Sequence, residues 1–255
     1  MKKFILVSPK NRSAYNFRGD LIKEIQKKGY DVVVTGPNKE GLDRIEALGA
    51  KFIEVPVNKN GVNPFADIAY CLKLKKIMKA EKAETILGYT IKPVIYGSIA
   101  AWLAGVKNRT AMVTGAGYLF ASKSLKARII RSISFVLYKL GLGAARKVIF
   151  QNIDDLNEFV EHGLVRKDKC HVVNGSGVNM TKFTPAEYPQ TPTFFFLGRL
   201  VYAKGGMDFV KAAKMVKEKY PNSRFMILGK IDKSVPDAIT AEDLMPYVND
   251  GTVEL

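Results

Sequence analysis

Compact apolar runs and helix-spaced apolar positions alternate along this chain. Residues 3–8 form a short apolar run, the pattern of a strand covered on both faces. In 18–28 the apolar residues Leu21, Ile22 and Ile25 fall at helical spacing, and Gly29 marks the stop. The same beat continues with strands at 30–35, 51–56, 85–87, 109–113, 148–151 and 169–173. Between them lie helices at 41–48, 64–79, 91–105, 122–142 and 153–162. On the 64–79 helix Phe65, Ile68, Leu72, Ile77 and Met78 define the apolar side. Parallel neighbours cannot be joined by a tight turn, so strand, crossover helix, strand is the rhythm of a parallel sheet. The expected class is α/β, with binding sites in the loops at the carboxyl ends of the strands.

Residues 181–192 break the rhythm with Pro185, Pro189 and Pro192, the composition of a linker. It resumes with strands at 193–197 and 224–228, helices at 205–219 and 240–248, and the start of a strand at 252–255. The reading is therefore two domains, 1–185 and 186–255. The first is a complete Rossmann-like domain. The second is an incomplete one, short of the about six strands of a doubly wound sheet. The chain reads as cut within it, and a half sheet exposes an edge open to pairing with a second chain that supplies the missing half.

Composition narrows the class. A chain of 255 residues with 47% apolar and 25% charged residues is a globular protein, which excludes collagen, wholesale disorder and a disulfide miniprotein. Cys71 and Cys170 lie far apart without metal-ligand spacing, the usage of buried thiols in a reducing compartment. No signal-peptide pattern follows Met1, and no run reaches the about 18 apolar residues of a spanning helix. Lys and Arg number 40 against 24 Asp and Glu, a formal charge of +16 that attracts an anionic partner. Nucleic acid, acidic lipid and phosphorylated small molecules all qualify. No helix-turn-helix, RNP or zinc module accompanies the charge, so nucleic acid is the weaker alternative.

The strongest local signal is Gly198-Arg199-Leu200 followed by Lys204-Gly205-Gly206, between a strand and a helix start. Unpaired N–H groups at a helix N-terminus suit phosphate, and two cations five residues apart add charge-assisted bonds to a diphosphate. The lysine precedes its glycines, so this is not a Walker loop. The alternative is a solvated loop with two ordinary cations.

The Gly198-Arg199-Leu200 … Lys204-Gly205 pattern resembles the donor-diphosphate loop of GT-B glycosyltransferases, in particular the retaining family 4. Three further segments are similar to bacterial polysaccharide and lipid-linked-oligosaccharide members: Tyr89-Thr90-Ile91-Lys92-Pro93, Thr114-Gly115-Ala116-Gly117-Tyr118, and Asn174-Gly175-Ser176-Gly177-Val178-Asn179 with Phe183-Thr184-Pro185. The resemblance implies two doubly wound domains, an acceptor-side N-terminal one and a nucleotide-sugar-binding C-terminal one. It implies a UDP-sugar donor, a polyprenyl-diphosphate glycan acceptor, and no cofactor or metal. Gly198, Arg199, Lys204 and Gly205 would then hold the donor diphosphate. Asn16, Arg18, Thr90, Lys92, Gly115 and Gly117 would belong to acceptor-side loops. For Gly115 and Gly117 a simple tight turn is the equal alternative; for Arg18 the alternative is a solvated loop arginine, the commoner case. The pattern departs from the family in two ways. No histidine other than His162 and His171 is present, and no E-x7-E pair follows Lys204, so no general base is named and activity of the 255-residue chain alone is in doubt. A retaining transfer in which the leaving phosphate accepts the acceptor's proton needs no such base.

From residue 85 to residue 153 there is no Asp or Glu, while ten Lys and Arg fall in the same span. On its helix, Leu125, Ile129, Ile133, Val136 and Leu140 cluster on one side, and Arg128, Arg131, Phe135, Tyr138 and Lys139 on the other. Aromatic and cationic residues sharing an exposed face suit an anionic membrane surface; a core-packed helix with a solvated basic face is the alternative. The expected place of action is the cytoplasm, peripheral to the inner face of the plasma membrane.

Overall fold

Seven strands run parallel in one sheet: β1 (Lys2–Val7), β2 (Tyr30–Gly36), β3 (Lys51–Glu54), β4 (Thr85–Tyr89), β5 (Asn108–Val113), β6 (Lys147–Phe150) and β7 (Cys170–Val172), ordered β3-β2-β1-β4-β5-β6-β7. The computed structural model describes residues 2–58, 63–115, 125–231 and 237–255, and within 125–130 the backbone alone. The chain divides into two compact units, Met1–Lys182 and Phe183–Leu255. The sheet belongs to the first.

Alternation along the strands feeds two layers. Ile5 and Val7 of β1 pack with Val33, Ile86, Leu74 and Met78 on one face, while Phe4 and Leu6 pack with Val32, Val34, Ile22 and Ile45 on the other. The first face is covered by α3 (Pro64–Ala80) and α4 (Ser98–Leu103), the second by α1 (Asn11–Lys27) and α2 (Leu42–Glu46). A third cluster joins Val113, Val148 and Phe150 to Tyr138 and Leu142 of α5 (Leu125–Ala144) and to Phe159 of α6 (Ile153–Glu161). Cations close the C-terminus of α5: Arg109 Nε donates to the Ala144 carbonyl at 2.7 Å, and Lys169 Nζ to those of Gly143 and Ala145 at 2.9 Å. That placement complements the negative end of the helix dipole.

Three expectations change. α1 begins at Asn11 rather than at residue 18, so Asn16 and Arg18 are helical. On α3 the exposed residues are Phe65, Ile68 and Leu72, while Tyr70, Cys71, Leu74 and Met78 face the core. On α5, Tyr138 is 2% exposed and Phe135 packs against the core, whereas Ile133, Val136 and Leu140 are exposed. The aromatic side is therefore the buried one, because aromatic rings fill more of the space beneath a helix than branched aliphatic residues do.

The second unit holds a two-stranded parallel sheet, β8 (Thr193–Leu197) with β9 (Arg224–Leu228), and the helices α7 (Gly206–Lys219) and α8 (Ala241–Asn249). The strand expected at 252–255 is a single parallel bridge, Met226 to Glu254. Leu200, Val210, Phe225, Ile227 and Leu244 form the core of this unit.

Gly141 of α5 faces the turn before α4 so closely that a Cβ there would lie 2.6 Å from Ile95 Cα. Backbone cannot move aside as a side-chain tip does. Gly141→Ala is expected to destabilise the first unit by about 1–3 kcal/mol, the cost of overpacking, read from the urea midpoint. An unchanged midpoint would mean that α5 stands off this turn.

Candidate functional site

The carboxyl ends of β1 and β4 meet around a buried guanidinium. Arg18, on the first turns of α1, is only 5% exposed. Its Nη1 donates to Ser176 Oγ at 2.8 Å and to the Phe17 carbonyl at 3.2 Å, and its guanidinium carbon lies 5.2 Å from the centre of the Tyr89 ring. Its Nε has no partner among the described residues. Among the described residues no carboxylate neutralises it; burial works against its charge and lowers its pKa, and only Tyr89 counters that. Ser176 sits between Gly175 and Gly177, both left-handed with φ of 75° and 74°. That conformation favours glycine and turns the serine hydroxyl to Arg18 and to Gln151 Nε2, 3.2 Å away. The Tyr89 hydroxyl shares hydrogen bonds with Ser8 Oγ at 2.5 Å and Ser13 Oγ at 2.9 Å. Burial raises the Tyr89 pKa, an effect that both serines oppose.

Beside it, the segment after β4 is tightly constrained. A Cβ on Gly88 would lie 2.6 Å from the Pro93 carbonyl oxygen. Thr90 adopts a left-handed φ of 66°, and a π-helical turn, Pro93–Gly97, follows. Such outliers cluster at functional sites. Here they hold Lys92 against Asp67 of α3, with Nζ 2.5 Å from Oδ1 and side-chain exposures of 11% and 10%. The Tyr96 hydroxyl donates to Asp67 Oδ2 at 3.1 Å; burial first, and then Asp67, push the Tyr96 pKa up to about 12.

In the second unit the turn from β8 to α7 is a 3-10 turn, Tyr202–Lys204, closed by Gly205 at a left-handed φ of 74°, where α7 starts without a side-chain cap. Arg199 and Lys204 are both exposed, and Gly198 precedes them. Asp237 fixes the turn by accepting from Ala203 N at 2.8 Å, and its carbonyl accepts from Tyr202 N. The arrangement offers free helix N–H groups and two cations.

The remaining expected residues scatter. Asn16 is exposed on α1. Gly115 lies two residues past the end of β5, at φ 144°, and is exposed. Gly117 and the side chain of Arg128 lie outside the described residues. Arg131 is half-buried and Lys139 exposed; Phe135 and Tyr138, expected on the membrane side, face the protein instead. Among the described residues no cluster of three His, Cys, Asp or Glu is arranged for a metal, and no helix is long and apolar enough to cross a membrane. Sequence reasoning passed over Asp67, Tyr70 and Asn11. Asn11 is 3% exposed, and its Nδ2 donates to the Asn38 and Glu40 carbonyls at 2.8 Å. The only signal for Asp67 was an acidic residue in the first turn of an otherwise basic helix.

A family model described as Glycosyl transferase 4-like matches residues 5–152. The N,N'-diacetylbacillosaminyl-diphospho-undecaprenol alpha-1,3-N-acetylgalactosaminyltransferase of Campylobacter jejuni is 27% identical, over 94% of this chain and 65% of the relative. The UDP-Gal:alpha-D-GlcNAc-diphosphoundecaprenol alpha-1,3-galactosyltransferase of Escherichia coli is 27% identical, over 76% of this chain and 52% of the relative. The chain thus spans between half and two thirds of the length of these curated relatives. Among solved structures, a glycosyltransferase of Rickettsia africae aligns with TM-score 0.68 at 16% identity, covering 99% of this chain and 67% of that one. Anabaena Alr3699/HepE in complex with UDP aligns with TM-score 0.71 at 13% identity, covering 100% of this chain and 68% of that one. The fold is that of the GT-B enzymes.

Proposed function

The chain belongs to the glycosyl transferase 4-like family, and we propose that it serves the transfer of a hexosyl or N-acetylhexosaminyl group from a UDP-sugar to a polyprenyl-diphosphate-linked glycan precursor of surface polysaccharide. The observation that carries this reading is Arg18, a buried cation at the carboxyl edge of the sheet with no carboxylate partner among the described residues. Burying an unpaired charge costs several kcal/mol. A guanidinium kept in that state is ready for an anion, and the acceptor diphosphate is the anion that the function supplies. The curated relatives support the reading, since their names describe transfer to sugars on diphospho-undecaprenol.

The donor belongs to the second unit. Arg199, Lys204 and the N–H groups at the start of α7, flanked by Gly198 and Gly205, take the diphosphate of the UDP-sugar. Their charge favours the UDP that departs as the glycosidic bond breaks, which is a transition-state contribution. The solved Anabaena structure of this fold is a complex with UDP, which supports a UDP-linked donor. No protein group is assigned as general base; the departing phosphate accepts the acceptor hydroxyl's proton.

The lipid end of the acceptor places the protein at an anionic membrane surface. The contact we propose is the outer side of α5, where Ile133, Val136 and Leu140 are 56%, 60% and 58% exposed beside Lys139. No acidic residue stands between residues 85 and 153 to oppose it. Apolar residues flanked by cations are the composition of an interfacial helix.

Three measurements follow. In calorimetry with UDP, Arg199→Ala and Lys204→Ala should each weaken binding by roughly tenfold to a hundredfold, the scale of a charge-assisted hydrogen bond. Equal affinity in all three proteins would put the nucleotide elsewhere. In a chain carrying Arg199→Ala and Lys204→Ala, which takes away the donor diphosphate site, inorganic pyrophosphate should bind and lose about tenfold or more when Arg18→Gln is added; indifference to that change would remove Arg18 from the acceptor site. Finally, vesicles rich in phosphatidylglycerol should sediment the protein, with release as salt shortens the screening length below about 8–10 Å. Replacing Ile133, Val136 and Leu140 together by Ser should abolish most of that binding. A triple variant that binds like the parent would mean that this side of α5 does not touch lipid.

A further inference from the structure

We infer that the hollow between α3 and the ends of β2 and β3 is a subsite for a neutral sugar ring of the acceptor glycan, separate from the Arg18 anion site. The inference rests on the acceptor-side reading of this unit and names the part of the acceptor that each place takes. The hollow has a volume of about 550 Å³ and is walled by Pro56, Val57, Asn63, Asp67, Tyr70 and Lys92. Small-molecule sites measure roughly 300–1,000 Å³. It lies at the carboxyl edge, where ligands of parallel α/β sheets bind.

The wall chemistry selects the ligand. Lys92 and Asp67 cancel each other at 2.5 Å, so the hollow offers an anion no uncompensated charge. That separates it from Arg18, which has no carboxylate partner among the described residues. A carboxylate oxygen has more than one lone pair, and each Asp67 oxygen has one partner here, from Lys92 Nζ and from the Tyr96 hydroxyl. Capacity remains for ligand hydroxyl donors. Asn63 uses Oδ1 to cap α3, bonding Phe65 N at 3.0 Å and Ala66 N at 3.2 Å, which leaves its NH2 group as a donor. Tyr70 is 4% exposed, and its hydroxyl has no partner among the described residues. A buried polar group without a partner is rare and calls for a reason. A ligand hydroxyl would supply one. Pro56 and Val57 give the apolar wall on which the C–H face of a sugar ring packs. Donors, acceptors and an apolar face with no net charge describe a pyranose, not a phosphate.

A second observation points the same way. Lys92 is delivered to Asp67 by a constrained segment: Gly88 under the Pro93 carbonyl, the left-handed Thr90, and the π-helical turn. A surface ion pair would need none of this. Strain that persists is held by its surroundings, and it gathers where a side chain must stand in one place.

The test uses the full chain with Arg199→Ala and Lys204→Ala as its parent, so that the loop of the second unit does not take pyrophosphate, and two probes, N,N'-diacetylchitobiose as a neutral disaccharide and inorganic pyrophosphate, followed by saturation-transfer NMR and titration. The parent should bind the disaccharide. Tyr70→Phe should weaken it about tenfold, the order of one hydrogen bond, and should melt no lower than the parent because it removes an orphaned hydroxyl. The double change Asp67→Asn with Lys92→Met, which removes both charges at similar volume, should weaken it as well. Arg18→Gln should leave disaccharide binding intact while reducing pyrophosphate binding. Disaccharide binding that survives both hollow variants unchanged, or is absent in the parent, would overturn the inference. If pyrophosphate still bound through Arg18 in that case, the acceptor-site reading would stand without this subsite. Disaccharide binding lost in Tyr70→Phe while pyrophosphate bound nowhere would support the hollow and count against the role of Arg18.

Discussion

Every strand of the seven-stranded sheet runs the same way, and that single constraint decides where chemistry can sit. A parallel sheet has no hairpins, so each strand must hand over to a crossover, and all the handovers gather on one edge. There β1 passes into α1, β2 into the loop that Asn11 ties down through the Asn38 and Glu40 carbonyls, and β4 into the crowded turn of Thr90 and Pro93. Faces of the sheet are filled by apolar side chains and covered by helices. Only the edge leaves polar groups from distant parts of the sequence free to converge.

Those convergences explain what was and was not legible in the sequence. The strands were legible because a doubly covered strand is a continuous apolar run, as in 4–7 and 32–34. The start of α1 was not, since residues 11–17 are mostly polar and only Asn11 and Ala14 of that stretch are buried. The face of α5, and the N-terminal half of that of α3, differ from the expected ones for a shared reason. Each helix carries two apolar stripes, and period alone cannot say which one meets the sheet. On α5 the choice falls to Tyr138 and Phe135, whose rings meet the core beside Phe159 and Phe150. On α3 it falls to the side that carries Asp67, which is drawn inward by Lys92, 25 residues away.

The site was legible as a set of loops and not as a set of contacts. The glycines of Asn174-Gly175-Ser176-Gly177 marked a turn, but nothing local to 174–179 announces a partner at residue 18. The lone arginine after the first strand reads more readily as a solvated side chain, and burial is a property of what packs around it. The loop of Arg199 and Lys204 was visible because its signal is contiguous: strand, glycine, cations, then the left-handed Gly205 at the helix start. Non-local sites leave weak sequence traces, and local ones leave strong traces.

Charge makes the same distinction within the structure. Much of the cationic surplus is placed without burial, and part of it is structural, as with Arg109 and Lys169 at the C-terminus of α5. Among the described residues just two charged side chains reach the core, Arg18 and Asp67, and both stand at the carboxyl edge of the sheet. Asp67 has its counter-ion in Lys92. Arg18 has a ring face, a serine hydroxyl and a carbonyl, none of which cancels a full charge. A fold needing only stability would lose little by replacing either with an apolar residue of similar volume, because a buried charge recovers its desolvation penalty only in a well-completed geometry. That one is completed and the other is not argues for two different partners on one edge: a neutral one where the charges cancel, and an anionic one where a guanidinium still lacks its mate.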